Sequence, residues 1–266
     1  MTDERPPSSR WKEWNAAAYH ALSEPQFAWG LRVLERTRMA GNECVLDAGC
    51  GSGRLTRELA SQITTGFVLG CDLSENMAHA AAETLGSMAR CAVACANLMT
   101  LPFTGVFDLI FSTATFHWIR DHDRLFLELR AALRSGGRLE AQCGGGPNLA
   151  TIHARADTLK QEEPFRRHFE HWQAPWLFAS PAETEGRLRR AGFASARCWL
   201  EQTPTPFADA AHFRAFVESV VMRPYILPLP DDLQGRFLDS IVGQAAKDDP
   251  PFTLDYWRLN ISATTI

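Results

Sequence analysis

Short apolar runs alternate with amphipathic stretches between residues 44 and 144. Five runs are predicted to be strands, in the order "CVLDAG", "GFVLGCD", "CAVACA", "FDLIFST" and "RLEAQCG". Runs that are apolar on both faces are typical of strands in a parallel sheet with helices on both sides. Helices are predicted to begin at Arg54 and Ser74 and to span 122–134. With two later strands, named below, we therefore predict a doubly wound, mostly parallel, seven-stranded α/β sheet with its ligand crevice at the carboxyl ends of the strands.

The two ends of the chain carry further predicted elements. Ahead of the first strand, amphipathic patterns predict helices over 11–20 and 25–40. Beyond Gly146 the pattern changes, since residues 147–180 are rich in Trp, Phe, His and Pro. The elements predicted after that stretch are helices over 181–191, 208–221 and 231–247, a returning strand in "AGFASARCWLEQT" and a last strand in "FTLDYWRLNISA". These later segments are expected to be helical insertions over the crevice plus the closing strands of the sheet.

Composition and charge narrow the class of protein. The 266 residues suffice for one large α/β domain, and 45% hydrophobic with 22% charged residues is ordinary for a globular protein. The net charge of −4 gives no general electrostatic attraction to nucleic acid or to an anionic membrane. The opening "MTDERPPSSRWKEW" has acids and prolines where a secretion signal needs an apolar segment. We therefore expect a cytoplasmic protein that binds neither nucleic acid nor membrane.

The cysteines and histidines predict neither disulfides nor a metal site. The seven cysteines include no C-x-x-C pair, and five of them lie within or beside apolar runs. That pattern is typical of small buried side chains in a reducing compartment. Neither His168 with His171 nor His117 with His122 belongs to a cluster of metal-ligand residues, so no metal is expected.

The segment "VLDAGCGSGRLTREL" places a glycine loop between the first strand and the helix that follows. Gly49, Gly51 and Gly53 have G-x-G-x-G spacing, whereas a dinucleotide-binding loop needs G-x-G-x-x-G and Arg54 stands at its last position. Asp47, expected at the mouth of the loop, would repel a diphosphate. The same carboxylate suits a nucleoside with a positively charged amino group, and S-adenosylmethionine is such a molecule. A role for Asp47 in stabilising the loop is the alternative.

The ends of the second and third strands supply further candidates for nucleoside binding. Asp72 lies 19 residues after Gly53, where a carboxylate can accept hydrogen bonds from both ribose hydroxyls. It could also serve only the dipole of the next helix. In "CANLMTLPF", Asn97 and the backbone of Leu98 are expected to face the adenine edge. Asn97 could instead only shape a turn.

Taken together, these motifs resemble a known family. "VLDAGCGSGRLT", "GCDLSENM", "LPF", "FDLIFSTATFHWI" and "LRSGGRL" are similar to the successive motifs of class I S-adenosylmethionine-dependent methyltransferases, over about residues 10–145. The resemblance implies a Rossmann-like fold, S-adenosylmethionine as cofactor with S-adenosylhomocysteine as product, and cofactor contacts at Leu73 and Ser112. Asn97 departs from the family, which usually has Asp there, and this puts the mode of adenine recognition in doubt.

A narrower resemblance lies at the two ends of the chain. "WNAAAYH" and "MRPYILPLP" are similar to segments of the trans-aconitate methyltransferase subgroup, whose members methylate a carboxylate of a small acid. This implies that the N-terminal helix folds over the cofactor, with Tyr19 covering its methionine end. The expected organisation is a single domain, 1–266, in which 11–145 form the cofactor-binding core with its lid helix. Residues 146–266 would supply the helical cap and the last strands.

The acceptor site is expected beside the fourth strand. His117 and Trp118 follow that strand and are the candidate catalytic residues, although His117 could also be structural. His117 would act as a general base on a hydroxyl or amine and would only orient a carboxylate, which is already ionised. The aromatic stretch after Gly146 suits a lid that excludes water. Candidates for binding an anionic acceptor, which could equally be solvated surface residues, are Arg166, Arg167, Arg223 and Arg258.

The function predicted from these features is methyl transfer to a small molecule by positioning rather than by covalent catalysis. O-methylation of a carboxylate is placed first, and N-, C- or hydroxyl O-methylation of a metabolite or natural product second. The sequence has no G-x-S-x-G elbow of an α/β-hydrolase and no "NPPY"-type tetrapeptide after the fourth strand. A non-catalytic cofactor-binding or regulatory module and a nicotinamide oxidoreductase stay open as alternatives. The protein is expected to be a monomer or a weak homodimer.

Overall fold

A seven-stranded sheet forms the centre of the molecule, which was analysed as a computed structural model describing residues 24–266. Its strands run in the spatial order β3-β2-β1-β4-β5-β9-β6. The strands are β1 (Cys44–Ala48), β2 (Phe67–Asp72), β3 (Cys91–Cys95), β4 (Phe107–Thr113), β5 (Leu133–Gly144), β6 (Ser195–Gln202) and β9 (Trp257–Thr264). A separate two-stranded ribbon pairs β7 (Thr205–Pro206) with β8 (Thr253–Leu254).

The sheet is parallel from β3 to β5, and β9 runs antiparallel between β5 and β6. The chain order reverses on either side of β1, which pairs with both β2 and β4. Such a reversal opens a crevice at the carboxyl ends of the strands, because the connections on its two sides lead to opposite faces of the sheet. The predicted fold class, a doubly wound and mostly parallel α/β sheet, is confirmed.

Helices cover both faces of the sheet and build a cap beside it. They are α1 (Glu24–Thr37), α2 (Arg54–Gln62), α3 (Glu75–Leu85), α4 (His122–Ala132), α5 (Ala150–Leu159), α6 (Pro181–Arg190), α7 (Ala210–Phe216), α8 (Arg223–Ile226) and α9 (Asp231–Ala245). Val33 and Leu59, from α1 and α2, pack on one face of the sheet, whereas Leu125 and Leu188, from α4 and α6, pack on the other. The cap has an apolar core of its own, to which α5, α7, α8 and α9 contribute.

The predicted elements differ from the structure mainly after residue 132. The helix predicted over 122–134 ends at Ala132, because Leu133 already pairs with Phe107 at the start of β5. The helix predicted over 208–221 is interrupted by a π-helical turn, Val217–Val221, in which the Met222 N–H bonds to the Val217 carbonyl. The first boundary is set by pairing with a strand of the main sheet, which local periodicity does not reveal.

Two other segments of the second half also differ from the prediction. The stretch 147–180 contains a regular helix, α5, which was not predicted. The predicted last strand divides into β8 and β9, since Leu254 pairs with Thr205 of the ribbon while Trp257 joins the main sheet. The helix predicted over 11–20 lies outside the described residues. Among residues 24–266, no helix combines the length and the apolar character that crossing a membrane would require.

Candidate functional site

A cavity of about 1170 Å³ lies at the carboxyl ends of the strands, between the sheet and the cap. We call its two walls the core side and the cap side. The core side consists of the strand ends and loops of the sheet, represented by Gly51, Asp72 and Leu98. The cap side consists of the segment after β4 together with cap residues, represented by Trp118 and Trp172. The cavity therefore lies at the crevice that the strand order predicts.

The glycine loop forms part of the core side. The backbone N–H groups of Gly49 and Cys50 donate to the Cys71 carbonyl, at 2.8 and 2.9 Å, and hold the loop against the end of β2. Gly51 has φ +54°, and a Cβ at this residue would meet no atom within 4 Å, so it would project into open space at the cavity wall. Gly51 thus keeps the wall clear for a ligand and lets the backbone approach it. Gly53 packs against Ala81 of α3 and is not among the described residues that line the cavity.

Asp72 is the acidic side chain of the core side. Its Oδ2 accepts a hydrogen bond from the Gly51 N–H and its Oδ1 accepts one from the Ser74 N–H, both at 2.9 Å. A carboxylate at the cavity wall is an acceptor of the kind that ligand hydroxyl groups need. The next residue, Leu73, also lines the cavity and is 47% exposed, which leaves an apolar surface beside the carboxylate.

Asp47 is placed differently from the prediction. It is buried within β1, where Thr56 Oγ1 donates to its Oδ2 at 2.7 Å, and it does not line the cavity as the residues 24–266 define it. Burial, with a smaller effect of the Asp72 charge, raises the pKa of this carboxyl to about 7. The expectation that Asp47 stands at the mouth of the loop is therefore wrong, because α2 covers it. A cation bound nearby would favour its ionised form.

Asn97 and Leu98 both line the cavity, as predicted, at the turn after β3. The Asn97 Oδ1 accepts from the Met99 N–H at 3.0 Å, and the Asn97 carbonyl accepts from the Thr100 N–H at 3.0 Å. The side chain therefore shapes the turn, while its contact with the adenine edge stays a prediction. Ser112 is buried, donates to the Ala48 carbonyl at 2.6 Å and is absent from the described lining of the cavity. Its hydroxyl joins β4 to β1.

The segment after β4 attaches the cap to the sheet. The Leu177 N–H donates to the His117 carbonyl, and the Arg120 Nη1 donates to the Gln173 Oε1, both at 2.8 Å. The Trp172 indole N–H donates to the Pro224 carbonyl at 2.9 Å, and its ring stacks on Tyr225 at 4.7 Å between centroids. The aromatic stretch predicted as a lid is therefore held in place by hydrogen bonds at Trp172, Gln173 and Leu177.

His117 lies within this aromatic region and does not line the cavity as described, whereas Trp118 does. The Gly144 N–H donates to the His117 Nδ1 at 3.3 Å, so the proton of the neutral ring is on Nε2. Burial and the nearby Arg258 charge hold the pKa of His117 well below its usual value. A neutral imidazole whose Nδ1 is already an acceptor is suited to hold β5 in place and is not poised to remove a proton.

Arginines distinguish the cap side electrostatically. Arg120 and Arg167 line the cavity, and their partners are neutral, since Arg120 bonds to Gln173 and the Arg167 Nε donates to the His168 Nε2 at 3.1 Å. Within residues 24–266 neither has a carboxylate within 4.0 Å. Arg120 was missed by sequence reasoning, which took the candidates after the fourth strand only as far as Trp118. Including the next two residues would have found it.

The other arginines proposed from the sequence lie elsewhere. Arg166 is exposed and Arg223 is half-buried, and neither is among the described residues of the cavity wall. Arg258 is only 3% exposed, and its guanidinium lies 4.6 Å from the Trp29 ring centroid. These positions follow from packing between the cap and the sheet, which the sequence did not show.

No group of three or more His, Cys, Asp or Glu side chains that could hold a metal ion occurs in the described part of the chain. The seven cysteines are all free thiols. Cys71 lines the cavity, and burial raises its pKa to about 12, so this thiol is protonated at neutral pH. Tyr19, proposed to cover the methionine end of the cofactor, lies outside the described residues.

Comparisons with known proteins agree with this geometry. A family described as "Methyltransferase domain" matches residues 45–137. Trans-aconitate 2-methyltransferase of Variovorax paradoxus is 31% identical over 242 residues, covering 85% of this chain and 86% of the relative. Malonyl-[acyl-carrier protein] O-methyltransferase of Geobacter sulfurreducens is 30% identical over 212 residues, covering 77% and 76%. The solved structure of Haemonchus contortus phosphoethanolamine N-methyltransferase 2 with S-adenosyl-L-methionine superposes with a TM-score of 0.61 at 20% identity, covering 99% of this chain and 58% of that one.

Proposed function

Since this chain belongs to the class I S-adenosylmethionine-dependent methyltransferases and resembles trans-aconitate methyltransferases, we propose that it methylates a carboxylate oxygen of a small organic acid. The predicted family, the methyl-transfer activity and the cofactor are confirmed by its relatives. The acceptor and the roles of individual residues are the proposed part. A relative named for O-methylation of a malonyl group supports a carboxylate acceptor.

The observation that carries this proposal is the pair of guanidinium groups on the cap side. Some arginines elsewhere in the described chain bond to carboxylates, as Arg134 and Arg155 do to Asp108 and Asp248, whereas Arg120 and Arg167 are the arginines that line the cavity among the described residues. Arg120 and Arg167 instead bond to an amide oxygen and an imidazole nitrogen, so their charges are not neutralised by an acidic side chain of residues 24–266. Guanidinium groups in this state attract carboxylates and can bind them through two parallel hydrogen bonds.

The core side fits the cofactor. Asp72 would accept hydrogen bonds from the ribose hydroxyls, Leu73 and Leu98 would flank the base, and the open wall at Gly51 would admit the ligand against the backbone. Asp47 would favour the positively charged amino group from behind the loop. When bound, S-adenosylmethionine supplies a methyl group that its sulfonium makes electrophilic.

The residues of the cap side would then align the acceptor and exclude water. A carboxylate is already ionised at neutral pH, so no general base is needed, which agrees with the neutral and hydrogen-bonded His117. Alignment of two bound reactants can lower a barrier by about 7–11 kcal/mol. Trp118 and Trp172 contribute by filling the wall opposite the sheet.

The proposal is tested by comparing Arg120→Gln and Arg167→Gln with Arg166→Gln, whose arginine is exposed and outside the described cavity wall. Arg120 and Arg167 are exposed as well, so loss of either charge, at up to about 1 kcal/mol, should raise the KM for an acid about fivefold in each of the first two variants. The affinity for S-adenosylhomocysteine, measured by calorimetry, should stay unchanged in all three. Methylation of amines or phenols with no acid accepted would contradict the proposal.

We also propose that the enzyme works in the cytoplasm as a monomer or weak homodimer and acts on small molecules alone. Seven free thiols agree with a reducing compartment. The net charge of −4 agrees with the absence of a nucleic-acid substrate. Cell fractionation and light scattering of the purified protein test these two statements.

A further inference from the structure

The cap side of the cavity also bears on the kind of acid that the enzyme accepts. Resting on the function proposed above, we infer that the acceptor is an acid with an apolar body and one or two carboxylates, rather than a polyanion such as a tricarboxylate. The inference follows from the balance of charge on the cap side, from the carbon surface around it and from the exposed apolar rim.

The charge balance limits how many carboxylates the site can hold. The cap side has two guanidinium groups, of Arg120 and Arg167, and one carboxylate, of Glu170. The core side adds the negative charge of Asp72. Among the described residues of the wall, a third carboxylate on the acceptor would find the imidazoles of His168 and His171 but no further arginine or lysine. Removing such a charge from water without a guanidinium or ammonium partner is unfavourable.

The wall between these charges offers mainly carbon atoms. Trp118, Ile119 and Trp172 line it together with Pro224 and Leu227. The Trp172 indole N–H is already bonded to the Pro224 carbonyl, so the part of this ring that meets a ligand is apolar. A polyanion would find no hydrogen-bond partners on this surface. A hydrocarbon chain or ring would bind favourably there, because the contact removes its apolar surface from water.

The apolar surface continues to the outside of the molecule. Leu227 lines the cavity and is 40% exposed, and Pro228 beside it is exposed as well. Large apolar side chains are exposed at few places in the described chain, and the cavity rim is one of them. A chain extending from a carboxylate at Arg120 or Arg167 could therefore pass along Leu227 towards solvent. The length of such a chain should influence how well the acid is used.

The inference is tested with a series of straight-chain monocarboxylic acids and one tricarboxylic acid, using S-adenosylmethionine labelled in its methyl group. Each methylene that becomes buried should raise kcat/KM about fourfold until the chain reaches the rim. The tricarboxylic acid should be used at least about tenfold less efficiently than the best monocarboxylic acid. A kcat/KM that is flat or falling with chain length, or highest for the tricarboxylic acid, would overturn the inference.

A pair of surface variants shows whether the rim is responsible. Leu227→Asp should lower kcat/KM about tenfold for the longest acids and only about twofold for the shortest acids, which meet the added charge but not the rim. Leu127→Asp is the matched control, since Leu127 is 50% exposed on α4 and is not among the described cavity residues. Equal effects of the two variants would overturn the role of the rim.

Failure of the inference can be distinguished from failure of the proposed function. If acids are methylated without a preference for apolar chains, only the inference fails. If the protein binds S-adenosylmethionine and methylates an amine or phenol but no acid in the series, the proposed function fails and the inference fails with it. Calorimetry with the cofactor confirms in both cases that the protein used is folded and able to bind.

Discussion

The two sides of the cavity recognise their ligands by different means. The core side is built from residues close in sequence, between Gly49 and Met99, and uses backbone groups and the half-buried carboxylate of Asp72, with the buried carboxylate of Asp47 behind the loop. The cap side brings together residues from 118–120, 167–175 and 224–228 and uses long side chains. Binding of the cofactor is thus tied to the sheet itself, whereas binding of the acceptor depends on segments that can change without disturbing the sheet. Variants on the two sides should therefore affect different measurements.

The largest effect is expected at Asp72. Asp72→Ala removes the acceptor for ribose hydroxyls and also the partner of the Gly51 and Ser74 N–H groups. Two lost hydrogen bonds to a charged group, at roughly 1.5–3 kcal/mol each, should weaken the affinity for S-adenosylhomocysteine more than about 100-fold. Calorimetry measures this, and Asp72→Asn, which keeps one acceptor oxygen, should lose less. An unchanged affinity would show that the core side does not bind the ribose here.

A smaller effect, dependent on pH, is expected at Asp47. Its pKa of about 7 in the folded protein lies above the usual 3.8, so the folded state holds the proton more tightly. The free energy of unfolding without ligand should therefore fall as the pH rises from about 4 to 7, and this fall should be missing in Asp47→Asn. Because the amino group of the cofactor favours the ionised form, cofactor affinity should increase about tenfold from pH 6 to pH 8 in the wild type only. Equal pH profiles for the two proteins would contradict the role of Asp47.

Gly51→Ala should separate backbone strain from loss of ligand space. Gly51 and Gly136 both have positive φ, +54° and +72°, and a Cβ at either would meet no atom within 4 Å. Both alanine variants should lose about 1–2 kcal/mol of stability because L-residues disfavour this conformation. Only Gly51→Ala should lower cofactor affinity, by about fivefold, since only Gly51 lines the cavity as described. Thermal denaturation and calorimetry measure the two effects, and a similar affinity loss in both variants would point to a general cause.

The smallest effect is expected on the cap side at Glu170. This carboxylate lines the cavity, is exposed, and would repel an anionic acceptor. Glu170→Gln should lower the KM for an acid about twofold, since exposed charges interact by less than about 1 kcal/mol. The difference should decrease at high salt because ions screen exposed charges. A higher KM in the variant would mean that Glu170 helps to bind the acceptor.

Sequence reasoning was most successful for features that residues close together in the sequence determine. The strand bounds of β4, the start of α2 at Arg54 and the Ser74 cap that accepts from the Met77 N–H are as predicted. These features depend on local patterns, and the doubly wound arrangement with its crevice at the carboxyl ends of the strands follows from right-handed crossovers. The position of Asp72 at the end of β2 followed from the same logic.

What could not be predicted depends on contacts between distant parts of the chain. Whether Asp47 faces the cavity or α2 depends on how α2 packs, which the glycine spacing does not specify. The neutral partner of Arg120 is the side-chain amide of Gln173, 53 residues further along the chain. The tautomer of His117 depends on Gly144, and its pKa is lowered by burial and, to a smaller extent, by the Arg258 charge. No periodicity in the sequence connects such residues.

The neutral partners of Arg120 and Arg167 have a consequence for turnover. On the proposed function, the acid enters with a charge that competes for these guanidinium groups with Gln173 and His168. Esterification abolishes that charge, and the amide and imidazole are then the better partners again. The arginines that retain the substrate would thus let the ester leave, so product inhibition by the ester should be weak without any movement of the sheet.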